Sequence, residues 1–103
     1  MKIWVDDIRP APEGYVWCKS VNEAKIVIKH PDLYATRRQR NIEVIDTDHD
    51  AGAYAYDGGD YIKLLDWLEE TNRNYPIRIH SMNPVGVANM RAIIQKNGWK
   101  EIL

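Results

Sequence analysis

Apolar positions along this chain of 103 residues fall into short runs that switch between two periods. Lys2–Val5, residues 15–19, the run from Ile42 to Asp46 or Thr47, and residues 77–80 are brief and rich in β-branched or aromatic side chains. Each is bounded by turn-forming or polar residues, a pattern that predicts buried strands. Residues 99–103 predict one more short strand, at an edge or packed under the sheet.

Between these runs the period lengthens. Val21–Lys29 carries Val21, Ala24 and Ile28 at helical spacing, with Ile26 and Val27 widening the stripe. Ser20 and Glu23 frame its start as a capping box, and Pro31 stops it. Residues 61–71 predict a second helix through Ile62, Leu64, Leu65 and Leu68, with Tyr61 and Trp67 beside them and Asp60 as cap. Residues 85–96 predict a third, burying Val85, Met90, Ile93 and Ile94 with Val87 alongside. Asn83 and Pro84 suit its first turn, and Asn97-Gly98 its end. Strands that alternate with helices imply one α/β domain over residues 1–103, built on a mostly parallel, twisted sheet. Residues 32–41 read as a polar connection, and 51–59 as a loop long enough to be a mobile flap.

Composition narrows the function classes. Fourteen basic against 15 acidic residues leave a formal charge of −1, so no global field draws the chain to nucleic acid. No apolar run reaches membrane-spanning length, and MKIWVDDIR turns acidic too early for a secretory signal. Cys18 is the single cysteine, which excludes an internal disulfide and fits a reducing, cytoplasmic setting. Phenylalanine is absent, so four tryptophans and six tyrosines supply the aromatic bulk and bring polar rims with them.

The chemistry gathers where strands end. Asp6-Asp7 follow the first strand. Asp46, Asp48, His49 and Asp50 close the central one, and His80, Ser81 and Asn83 follow the fourth. Open parallel sheets put their sites at the carboxyl ends of strands, so three neighbouring strands would bring these groups together. Carboxylates so close repel unless a cation or protons intervene. Asp6, Asp7, Asp48 and Asp50 are therefore candidate metal ligands. Oxygen donors favour Mg²⁺ or Mn²⁺, and imidazole admits Zn²⁺ or Fe²⁺. His49 or His80, with Asp48, would carry the acid–base or catalytic chemistry. Ser81 and Asn83, at the start of the third helix, would hold a phosphate, and Arg9, in the loop after the first strand, could clamp it.

Each group also has a plainer explanation. The acids can cap turns, His80 can sit satisfied in the core, Ser81 and Asn83 can serve only as caps, and Arg9 can pair with Asp6. Arg37, Arg38 and Arg40 make either a solvated loop or a nucleic-acid contact, and Tyr54 and Tyr56 either pack the flap or stack on a base.

Four segments resemble the cyclic-phosphate processing receiver-like domains, relatives of two-component receivers. They are VDDIRPAP at 5–12, DTDHDAG at 46–52, Gly59-Asp60 with Trp67 following, and HSMNPVGVANM at 80–90. The resemblance implies a receiver-like, flavodoxin-like three-layer fold with a reduced helix set. It implies metal-dependent hydrolysis of a cyclic phosphate on a nucleotide or RNA end. It sets Asp6 and Asp7 at the Mg²⁺-binding acids, Asp48 at the phosphoacceptor position and Ser81 at the hydroxyl position after the fourth strand. The chain departs from true receivers: RPAPEG replaces the first helix, and no lysine follows a fifth strand at the matching place. His49, Asp50, His80 and Asn83 are groups that a phosphoacceptor does not need. These departures favour hydrolysis. Phosphorylation of Asp48 in signalling and non-catalytic binding of a nucleotide phosphate are the alternatives. Thr47 and Ala51 stand where the family pattern has larger apolar residues.

Overall fold

The computed structural model describes residues 1–34 and 41–103, so Arg37, Arg38 and Arg40 lie outside the described residues. Four strands, β1 (Lys2–Val5), β2 (Tyr15–Cys18), β3 (Val44–Thr47) and β4 (Ile77–Ile79), form one sheet in the order β2-β1-β3-β4. All three pairings are parallel. The helices are α1 (Val21–Lys29), α2 (Ile62–Glu70) and α3 (Pro84–Asn97).

Handedness decides where the helices go. The steps β2 to β3 and β3 to β4 cross the sheet in one direction, so right-handed crossovers deliver α1 and α2 to the same face. α3 joins them: Met90 and Ile94 share one apolar core with Val21, Ala24, Leu64, Leu65 and Leu68. The sheet contributes Ile3, Val5, Cys18, Ile45 and Ile77 to that core. Alternation then turns Trp4, Trp17, Asp46 and Arg78 to the opposite face, where strand register sets them in one row. Among the described residues no helix covers that face. The connection 6–14 lies over part of it, tied where the Trp4 indole N–H donates to the Arg9 carbonyl at 2.8 Å. The third layer of the expected architecture is thus reduced to a loop.

α1 begins and ends where its capping signals place it. Ser20 Oγ accepts from the Glu23 N–H at 3.0 Å, while the Glu23 carboxylate reaches back to the Lys19 N–H. Other expectations need correction. Ile26 is half exposed, because the core stripe runs through Val27 and Ile28 instead. Val85 is 70% exposed, because α3 turns Gly86 inward in its place. Asp60 does not cap α2; its Oδ1 accepts from the Ala51 N–H and closes the loop 51–60 on itself. The last strand shrinks to a bridge between Glu101 and Ile77, since Trp99 turns into the core just before it. Residues 51–60 are docked at both ends: Asp57 accepts from Ser20 Oγ and Asn22 Nδ2 at the start of α1, and the Tyr61 N–H donates to the His49 carbonyl. None of the helices formed by described residues is long and apolar enough to cross a membrane.

Candidate functional site

Strand register brings the ends of β1, β3 and β4 level. Val5 pairs with Thr47 and Thr47 with Ile79, so the next residue on each strand leaves the sheet at the same edge. Those residues are Asp6, Asp48 and His80. Two ladder bonds continue past the strands, from the Asp48 N–H to the Val5 carbonyl at 2.9 Å and from the His80 N–H to the Thr47 carbonyl at 3.0 Å. As a result Asp6, Asp48 and His80 each offer one donor atom within 4.8 Å of the others.

His80 is the most constrained member. Its Nε2 lies 2.8 Å from Asp6 Oδ2 and its Nδ1 lies 2.6 Å from Asp46 Oδ1. The ring stacks on Trp4 with centroids 3.8 Å apart and planes 5° from parallel. Asp46 is buried and also receives Arg78 Nη1 at 3.1 Å. Asp6 is equally buried, and its Oδ1 takes the N–H groups of Ile8 and Arg9, each at 2.9 Å. Burial pushes the Asp6 carboxyl up, but those two N–H groups and His80 outweigh it and hold the carboxyl below its usual range.

Asp7, the next residue, behaves in the opposite way. Burial and then the charges of Asp6 and Asp48 raise its carboxyl above the usual value. Gly52, at φ +53°, makes room for it: a Cβ there would collide with Asp7 Oδ2. Tyr61, fully buried, also senses this group. Burial and then Asp7, Asp6 and Asp48 push its phenol upward, and the hydroxyl donates to the Lys19 carbonyl at 2.7 Å. Cys18 is sealed in the core, its thiol pushed up to about 12 by burial and Glu23, so it offers no nucleophile.

A second group adjoins the first. His49 Nδ1 lies 2.7 Å from Asp50 Oδ1, and Asn83 Nδ2 contacts both oxygens of Asp50 at 3.4 Å. The His49 ring rests on Gly86, where a Cβ would meet its ring atoms. Asp48 Oδ1 accepts from the His49 N–H at 2.7 Å and joins the two groups. Asn83 Oδ1 caps α3 through the Gly86 N–H, and Ser81 Oγ accepts from the Asn83 N–H. Pro84 has no N–H to give, so fewer donors remain free at this helix end than the sequence suggests. Arg9 reaches across the edge to the His80 carbonyl at 3.1 Å and meets Asp6 only through its backbone N–H.

Of the residues expected at a site, the fold brings Asp6, Asp48 and His80 together, with Asp7 beside them. Asp50 stands apart from that trio and beside His49, and Ser81 and Asn83 shape the loop into α3. The sequence marked Asp46 as an acid at the end of the central strand but gave it no role, and Trp4 was not singled out. Asp46 sits inside β3, and its meaning depends on a register with Arg78 that no single segment reveals. The donor set fits a divalent cation on its own chemistry: two carboxylates and an imidazole converge, with the Asp7 carboxylate beside them. A family model described as the cyclic-phosphate processing receiver domain matches residues 1–96. No curated protein and no solved structure gives a significant match.

Proposed function

Since this chain belongs to the family of cyclic-phosphate processing receiver domains, we propose that it hydrolyses a cyclic phosphate on a nucleotide or RNA end in the cytoplasm. Asp6, Asp48 and His80 would hold a divalent cation, with Asp7 as an adjoining ligand. The observation that carries this reading is the convergence of the trio from three strand ends. Mg²⁺ and Mn²⁺ suit the carboxylates, and the imidazole also admits Zn²⁺. A bound cation supplies phosphoryl polarisation and a more acidic water.

The chain's own groups divide the remaining work. Asp46 holds His80 Nδ1 and fixes the ring. Nε2 lies 2.8 Å from Asp6 Oδ2, so a cation held by both groups would take the place of the hydrogen bond between them. His49 is the proton carrier: Asp50 takes its Nδ1–H and leaves Nε2 to accept a proton from water or return one to the departing ribose oxygen. Asn83 steadies Asp50, and Arg9 offers a cationic group at the same edge.

The test is a screen of 2′,3′- and 3′,5′-cyclic phosphates with added Mg²⁺, Mn²⁺ or Zn²⁺ and direct product detection. Turnover is expected with metal and not with chelator, and Asp48→Ala is expected to abolish it while the circular dichroism spectrum persists. Unchanged turnover in that variant refutes the assignment. A second reading rests on the place of Asp48, at the end of β3 beside Asp6: phosphorylation in signalling. Incubation with a small phosphodonor and Mg²⁺ would then give a base-labile adduct that Asp48→Ala lacks.

A further inference from the structure

The strand order β2-β1-β3-β4 lays out the carboxyl edge in sequence: His80 at β4, Asp48 at β3, Asp6 and Asp7 at β1, then Lys19 just past β2. Lys19 Nζ sits 4.6 Å from the Trp17 ring centroid and 5.9 Å from that of Tyr54. Tyr54 in turn stacks with Tyr56, centroids 6.5 Å apart and planes 26° from parallel. Tyr56 is 84% exposed, so its ring packs the fold very little.

Three features make this more than a loop with tyrosines. The segment that carries the rings is fixed, with Gly52 set against Asp7 at one end and Asp57 tied to Ser20 and Asn22 at the other. The strip is also tied to the acid group: the Trp17 indole N–H donates to the Asp6 carbonyl at 2.7 Å, and the Lys19 carbonyl receives the buried Tyr61 hydroxyl at 2.7 Å. Finally, Lys19 forms no ion pair among the described residues, although the edge beside it is rich in carboxylates. Lysine–aromatic pairs elsewhere in the chain lie away from this edge, as with Lys25 and Lys29 over Trp67, between α1 and α2. A fixed cation between aromatic faces, with one ring open to solvent, is the combination by which proteins hold a base and its phosphate without reading sequence.

We propose that Tyr56 and Tyr54 form a stacking platform for the base of a nucleotide or RNA end, and that Lys19 meets its phosphate. This deepens the reading given above by naming the residues that would hold the base of that nucleotide or RNA end. It rests on that reading only for the chemistry, since binding to the platform can be measured without turnover.

The experiment titrates adenosine monophosphate, ribose phosphate lacking the base, and a short oligoribonucleotide into the full chain with Mg²⁺ present. Binding is read from the Trp17 indole N–H resonance, assigned with Trp17→Phe. Adenosine monophosphate is expected to bind about ten-fold more tightly than ribose phosphate. Tyr56→Ala is expected to erase that difference and Tyr56→Trp to keep it. Lys19→Met should weaken all three ligands and leave adenosine itself unaffected. A stronger signal from the oligoribonucleotide identifies an RNA end as the source of the base, and equal signals identify the mononucleotide. Equal affinity for ribose phosphate and adenosine monophosphate, or a Tyr56→Ala variant that binds like the parent, overturns the platform. If adenosine monophosphate binds through Tyr56 while no cyclic phosphate is turned over, the platform stands and the hydrolytic reading falls. If cyclic phosphates with and without a base are turned over alike, the reverse holds.

Discussion

The two faces of the sheet solve different problems with the same four strands. Toward the helices, Ile3, Val5, Ile45 and Ile77 meet Leu64, Leu65, Leu68, Met90 and Ile94, all at or near zero exposure. That face holds by apolar area removed from water, a term that asks for volume and little geometry. The other face carries Trp4, Trp17, Asp46 and Arg78, and His80 reaches it from the edge. There the contacts are directional: a stacked indole, an imidazole between two carboxylates, and a guanidinium on one of them. Groups with prescribed angles gain little from burial alone, so this face is organised for position, and it leads directly into the carboxyl edge.

If that division is right, damage to the two faces should look different. Leu68→Ala removes a fully buried side chain and is expected to cost about 2–5 kcal/mol. That is a large part of the ~5–15 kcal/mol that holds a domain together. Denaturant unfolding should show the loss, with metal affinity per folded molecule unchanged. A Leu68→Ala protein as stable as the parent would remove the basis for the contrast.

Asp46→Asn tests the other face. The amide still accepts from His80 but no longer balances Arg78, which is partly open to water. The expected stability loss is about 1–3 kcal/mol, smaller than that of Leu68→Ala. Affinity for Mn²⁺, measured by electron paramagnetic resonance, should fall at least about ten-fold, as when a metal ligand loses the group that orients it. A loss confined to stability would make Asp46 a structural residue and nothing more.

The same division explains what the sequence disclosed. Apolar runs located all four strands, because burial on one face repeats every second residue whatever lies opposite. The Ser20–Glu23 box and Pro31 set both ends of α1 within the segment itself. Asp6, Asp48 and His80 stood out because ionisable groups at the ends of apolar runs are conspicuous. Asp46 was legible as an acid but not as a partner, since its role depends on pairing with β4 across 32 residues. Val85 misled for a similar reason: the inward position went to Gly86, which has no side chain to signal it and is needed small by His49.

The finest distinction lies between two adjacent residues, Asp6 and Asp7. Asp6 is held below its usual 3.8, because two backbone N–H groups and His80 overcome burial. Its contribution to stability is present above 3.8 and is lost as pH falls through the lower folded value. Asp7 is raised above 3.8 by burial and by its acidic neighbours, so its ionised form costs stability at neutral pH. That cost is recovered as pH falls through the raised value and is gone below 3.8. In chelator at pH 7, Asp6→Asn should lower the melting temperature, whereas Asp7→Asn should raise it by an amount worth under about 1 kcal/mol. The gain from Asp7→Asn should shrink as pH approaches 4, because the parent then sheds the same charge. Mg²⁺ should drop Asp7→Asn below the parent, because a bound cation stabilises the parent by an amount that grows with the logarithm of an affinity the amide has weakened. An Asp7→Asn protein that keeps its advantage in saturating Mg²⁺ would show that Asp7 takes no part in holding the ion.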